Sequence, residues 1–211
     1  MGGVAVGIWE LFAYAVPGAL YLALIGYVLQ RTGAVDVATL LSTNTTLAIV
    51  GAVLASYLLG HITYFPRRFL DQRLARWFAV RPGARDEFLR RNPTVADRRV
   101  LSLNVFLLQR GLELVARESA NEIDRQRASG VALRNAAFAL LLAAIACLVE
   151  LFVGGHRLTA ALGLAAFPIA AASALRGGFV LSHWAALRTY EVVFWLPELE
   201  DKLTDSGGLG G

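Results

Sequence analysis

Three histidines, one cysteine and two isolated acids are the side chains here that could do chemistry in or beside apolar sequence. A metal site or a proton relay needs partners at fixed spacing. His61, His156 and His183 have none at i+3, i+4 or in a CxxC arrangement, so the pattern supports no metal centre. His61 and His183 are expected to be hydrogen-bonded structural groups. Cys147, in the run AAIACLVE, should behave as a small hydrophobe. No G-x-S-x-G, no P-loop and no glycine fingerprint opening a helix after a strand occurs, so the sequence points away from an enzyme and implies no cofactor.

The two acids are Glu10 and Glu150. An ionisable group in hydrocarbon is a functional candidate by default, because central placement costs at least ~2.5–3.5 kcal/mol on insertion scales. Two readings stand. Either each reaches the interface and accepts a hydrogen bond, with Arg157 a partner for Glu150 across a turn, or each repeats in a homo-oligomer as a carboxylate ring that favours cations.

The elements that carry these residues follow from composition. The 211 residues are 56% hydrophobic and only 17% charged, where a soluble domain carries roughly a quarter as charges. A single cysteine excludes a disulfide-stapled fold. The apolar residues cluster into four stretches near the ~20 residues that a helix needs to cross a bilayer. They run over about 8–29, 46–65, 135–152 and 158–175, making an all-α integral membrane protein of two transmembrane hairpins, 1–65 and 135–175. Pro17-Gly18 should kink the first span, and Tyr21 and Tyr27 suit its interfaces. The start of the chain carries no charged side chain before Glu10 and the apolar run is long, so the first span is expected to be retained rather than cleaved.

Of the 20 basic residues, 19 are arginine, and 15 fall in 66–134 beside eight acids. That insert is therefore +7 and the remainder −3, which gives the net +4. Twelve arginines flank span ends on the insert side, whereas only Arg31 and Arg157 flank the other. The positive-inside bias then places the insert and both termini in the cytoplasm.

The insert reads as helical. Phe69, Leu70, Leu74, Trp77 and Phe78 share one face after Pro66, with Arg67, Arg68, Arg73 and Arg76 elsewhere, a basic amphipathic helix that Pro82-Gly83 ends. A short piece over 86–91 follows. Asn92-Pro93 then predicts the start of a helix running to Ser129, paired by charges such as Glu113 with Arg117 and continuing through Gly130 into span three if that glycine only hinges. Leu101, Val105, Leu108, Leu112 and Val115 form a heptad-like seam on it. That seam is covered either by the insert itself or by helices of other subunits.

After span four, Arg176-Gly177-Gly178 is expected to break the helix before an amphipathic cytoplasmic helix over 176–205, followed by a flexible tail at 206–211. Small residues recur every four positions at Gly51 and Ala55, at Ala139, Ala143 and Cys147, and at Ala166, Ala170 and Ala174, predicting close helix contacts. The arginine clusters, Arg67-Arg68 with Arg73 and Arg76, Arg90-Arg91 and Arg98-Arg99, have three readings: contact with anionic lipid, binding of a nucleotide or nucleic acid, or docking of a soluble protein partner.

Pro17-Gly18 in span one, Tyr57-Leu-Leu-Gly-His61 in span two, Arg117-Glu118-Ser-Ala-Asn121 in the insert and Arg188-Thr-Tyr190 after the closing hairpin together resemble the small four-span membrane proteins of bacterial anti-phage defence systems. The likeness covers most of the chain. It implies an oligomeric membrane effector or sensor linked to a cytoplasmic trigger, here one controlling permeability like a channel. The alternative is a non-conducting anchor or regulatory subunit that recruits a soluble partner.

Overall fold

A computed structural model shows the chain. It describes all residues except 1, 37, 38, 40–44, 96, 97, 99, 100, 102 and 197–211, and only the backbone of 2–10, 64–70 and 95. The described residues are helical throughout: α1 (Gly2–Arg31), α2 (Thr45–Ile62), α3 (Tyr64–Phe78), α4 (Ala84–Arg91), a 3₁₀ turn at Pro93–Val95, α5 (Val105–Val115), α6 (Arg117–Val153) and α7 (Arg157–Phe194). Four of these, α1, α2, α6 and α7, are long and apolar enough to cross a membrane. Their outward residues, such as Leu54, Ile62, Phe152 and Leu162, are exposed in the isolated chain, as lipid contact requires.

Within the bundle α1 packs on α2 and on α6, and α6 packs along α7. Backbone proximity builds these crossings. A Cβ on Gly18 would lie 1.6 Å from the Ser56 carbonyl oxygen, and one on Gly60 would lie 2.0 Å from the Tyr14 carbonyl oxygen, so only glycine lets α1 and α2 meet this closely. Pro17 is buried beside this crossing inside a helix that continues to Arg31. Gly130 and Gly178 make the corresponding contact between α6 and α7, a Cβ on Gly178 coming 2.7 Å from the Gly130 carbonyl oxygen.

That second contact corrects the expected break after span four: α7 is one helix of 38 residues running straight through Gly177-Gly178. The glycines serve close packing against α6 rather than interruption. α6, with 37 residues, likewise passes through Gly130. At 1.5 Å per residue each rod is about 56 Å long, nearly twice the ~30 Å hydrocarbon core. The surplus length of each packs against the short helices of the 66–134 segment. Gly51 has open space around it and Ala166 and Ala170 are exposed. Ala139 is buried, however, a Cβ on Gly163 would lie 2.6 Å from Cys147 Sγ, and Ala174 packs beside Ala171, so the stripes contribute in part, alongside Ala137 and Ala160.

The insert's long helix, expected from Pro93 to Ser129, does not form. Asn104 caps a new helix, its side-chain oxygen accepting from the Phe106 N–H at 2.9 Å. α5 then ends at Ala116, whose backbone leaves the helical region at φ −134°, ψ 65°. In a straight helix Gln109 and Asp124 would sit about 22 Å apart. Here the Gln109 amide hydrogen-bonds the Asp124 carboxylate, so α5 folds back along α6. This brings Leu101, Leu108 and Leu112 of the seam into a core with Phe88, Ala120, Ile123, Leu187, Tyr190 and Val193, with Val105 and Val115 packed at its edge. The seam is therefore covered by the chain itself.

Polar clamps complete the attachment of α3 and α4 to the rods. Arg134 of α6 pairs with Asp71 of α3 at 3.4 Å, and Arg176 of α7 donates to the Phe78 carbonyl at 3.0 Å. His183 of α7 bonds Glu87 of α4 at 2.8 Å, as a structural histidine would.

Candidate functional site

The α5–α6 fold-back creates a cleft of about 610 Å³ where the insert meets the membrane helices. Ala13 and Tyr14 of α1 form one wall, and Gln109, Arg110, Glu113, Arg117, Asn121, Asp124 and Arg127 supply its polar lining. Phe106, Leu114, Ala128 and Val131 add an apolar rim. The lining holds three arginines against two carboxylates.

Pairing inside the cleft is uneven. Arg110 donates to both oxygens of Glu113 at 3.0 and 2.9 Å, so that carboxylate is engaged by a neighbour on its own helix rather than by Arg117, which the break at Ala116 rotates away. Asp124 accepts from Gln109. Arg127 lies over the Phe106 ring at 5.0 Å, a cation–π contact. Among the described residues neither Arg117 nor Arg127 has a carboxylate within salt-bridge distance.

Gln109 is 5% exposed, and its Oε1 has no hydrogen-bond partner among the described residues. An unsatisfied buried acceptor costs about 1–3 kcal/mol. The cleft thus sets Arg127, attracted by Asp124 on its own helix, beside a buried acceptor without a partner among the described residues.

At the opposite end of the bundle, Glu150 accepts from Arg31 at 3.0 and 3.1 Å and from the Tyr27 hydroxyl at 3.2 Å. Its sequence-proposed partner Arg157 gives way to Arg31 because α1 and α6 end side by side there. Tyr21, expected at an interface, is instead buried and donates to the Asn135 carbonyl at 3.4 Å. Glu150 also borders an apolar groove of about 400 Å³ with Leu24, Cys147, His156 and Phe167. His61 packs against Tyr14 and Tyr57, ring centroids 4.3 and 5.4 Å away, and among the described residues no three His, Cys, Asp or Glu side chains gather as a metal site would need.

The other arginines singled out by sequence do not converge. Arg73 and Arg76 are exposed on α3, and Arg90 and Arg91 are exposed on α4 with Arg91 paired to Glu87. Arg98 donates to the Phe194 carbonyl at 3.4 Å and lies 5.2 Å from that ring. Arg99 and the side chains of Glu10, Arg67 and Arg68 lie outside the described residues. None of the described members lines the cleft; Arg110, Arg117 and Arg127 do. Sequence reading saw 117–127 as a polar helical stretch, but only the fold-back at Ala116 sets it opposite Gln109 and Arg110. Comparison with protein-family models, curated proteins and solved structures returned no significant match, so the functional reading rests on this geometry and on the sequence.

Proposed function

We propose that this chain is a multi-pass inner-membrane effector that assembles as a homo-oligomer and controls membrane permeability in response to a ligand or partner received by its cytoplasmic insert. The observation that carries the reading is the shared wall of the cleft. Ala13 and Tyr14 belong to a span, whereas the facing residues belong to the insert, so occupancy of the cleft acts directly on a transmembrane helix. α6 then runs unbroken from Asp124 to Glu150, giving a displacement at the cleft a stiff path to the far end. The resemblance to anti-phage membrane effectors implies the same role.

The test is potassium efflux from liposomes carrying the purified full chain, together with native mass measurement of its oligomeric state. An oligomer is expected, with efflux above protein-free vesicles and altered by Asp124→Asn, which loosens the cleft wall. A strictly monomeric, impermeable protein would overturn the proposal. One observation favours a second reading, a non-conducting anchor: Glu150 is neutralised by Arg31 within one chain, which offers no free carboxylate to a pore. Under that reading a stoichiometric soluble partner co-purifies, is lost on Arg73→Ala/Arg76→Ala, and no efflux occurs.

A further inference from the structure

We propose that α3 lies in the plane of the bilayer surface at the insert end, and that its outward face, carrying Arg73, Arg76 and Trp77, binds the headgroups of anionic phospholipid. The proposal goes beyond the reading above. It needs the four apolar helices to cross a bilayer but neither conductance nor a trigger.

Depth comes first. α3 is fixed at three points along its length, each to the end of a different span. Its first residue, Tyr64, follows the last residue of α2, Ile62, with only Thr63 between them. At its middle, Asp71 pairs with Arg134 at 3.4 Å, just before the apolar run that begins at 135. At its end, the Phe78 carbonyl accepts from Arg176 at 3.0 Å, just after the run that closes at 175. Leu74 and Phe78 add packing against Ala137, Ala171 and Leu175 at the same two span ends. A helix of 15 residues is about 22 Å long. Held by span ends at its start, middle and finish, it runs along the membrane boundary rather than projecting from it.

The face turned away from these contacts carries the chemistry. Gln72, Arg73, Arg76 and Trp77 are exposed, and Trp77 keeps 84% of its surface open. At ~100° per residue Trp77 falls between Leu74, which packs inward, and Arg73. An indole at this depth suits the edge of the hydrocarbon, and the adjacent guanidinium groups suit the phosphate layer. Among the described residues neither Arg73 nor Arg76 has a carboxylate within salt-bridge distance. The one acid in the α3 sequence, Asp71, is engaged by Arg134. Arg81, exposed just past the helix, adds a third positive charge. A basic face of this kind favours anionic over zwitterionic headgroups. A soluble acidic protein would meet the same charges, but it would have to displace lipid from a face already set at headgroup depth, so the three tethers favour the bilayer.

The experiment uses the full chain reconstituted in phosphatidylcholine vesicles, with acyl-brominated phosphatidylcholine or phosphatidylglycerol added at equal mole fraction. Bromine quenches tryptophan only at close range, and subtracting the emission of Trp77→Phe isolates Trp77 from Trp9, Trp184 and Trp195. Quenching by both lipids is expected, stronger with brominated phosphatidylglycerol. Arg73→Gln and Arg76→Gln should each lower that preference by up to about fivefold, the equivalent of ~1 kcal/mol per basic residue near an anionic surface. Both positions are exposed, and unchanged helicity by circular dichroism would verify that the variants fold. Arg188→Gln, at an exposed position about 20 Å beyond Leu175 along α7, is the control and should leave the preference unchanged.

Trp77 emission that is quenched by aqueous iodide and by neither brominated lipid would put this face in water and overturn the proposal. Equal quenching by the two lipids, indifferent to both arginines in folded variants, would overturn it as well. So would a soluble protein that co-purifies, shields Trp77 from bromine and is lost on Arg73→Ala/Arg76→Ala, since the face would then belong to that partner. None of these readouts involves efflux, so lipid contact and permeability stand or fall separately.

Discussion

The membrane end and the insert end of this bundle are held together by different forces, though α6 and α7 run through both. In the insert, Leu108 and Leu112 have no exposed surface and pack with Ile123, Leu187 and Tyr190. This is a core of large side chains, in which burial of apolar area is the driving force. Among the spans, large aliphatics such as Leu54 and Leu162 point outward, and the contacts inside use Gly18, Gly60, Ala137 and Ala171. Lipid offers no hydrophobic gain for bringing helices together, so close backbone approach has to supply the attraction. One chain therefore follows two packing rules, and the glycine pair Gly130–Gly178 lies where they meet.

The comparison is most directly broken in the insert. Leu108→Ala should destabilise the protein by about 2–5 kcal/mol, because it empties a site that neighbouring helices cannot readily collapse into. Denaturation in detergent followed by tryptophan fluorescence would register it, and a loss below 1 kcal/mol would refute the assignment of that core. At the membrane end, Gly18→Ala forces a methyl group onto the Ser56 carbonyl. An overpacking cost of about 1–3 kcal/mol is expected, seen as faster hydrogen exchange along α2 while α5 keeps its protection. Simultaneous loss in both regions would mean that the two do not pack independently.

A smaller effect concerns the clamp between α4 and α7. The hydrogen bond from His183, with help from Arg91, holds the Glu87 carboxyl below its ordinary 4.5. A carboxylate with a lowered folded value contributes stability that is fully present above its unfolded value and disappears as pH falls through the lowered one. The contribution of the Glu87 carboxylate to the attachment of α4 should therefore persist down to about 4.5 and fade as pH falls further. Glu87→Gln should abolish that acid-side change, as measured by proteolysis of the 84–91 segment across pH. The smallest effect belongs to Leu54→Ala. Its side chain is 60% exposed on the outer face of α2, so the change should stay within about 0.5 kcal/mol, and a larger loss would reveal a partner on that face.

Much of this fold was legible because its dominant signal is one-dimensional. Four apolar runs can only be helices in lipid, since every backbone group must be satisfied within its own segment. The continuity of α6 through Gly130 was also readable as a hinge that need not break. Helix termini in the insert were harder. Asn92-Pro93 is as good a start signal as Asn104, and nothing local at Ala116 marks a reversal; the helix ends there because burying Leu108 and Leu112 against Ile123 outweighs continuing α5 into α6. Gly177-Gly178 misled for a related reason, since a glycine pair reads as a break until its neighbour across the crossing is known.

The candidate site divides in the same way. Glu150, one of two acids singled out by position alone, does sit in a polar cluster, but its partner is Arg31, 119 residues away. Arg110, Arg117 and Arg127 were visible only as members of a polar helical stretch. Sequence by itself determined the helical class, the four apolar helices and the concentration of charge between the second and third, because hydropathy and charge are sums over residues. Tertiary structure alone decided which arginines share a cleft, which carboxylates neutralise them and which are left over. The Arg110–Glu113 pair is local to α5, but which residues face each other across the cleft depends on a chain reversal at Ala116 that no local propensity encodes.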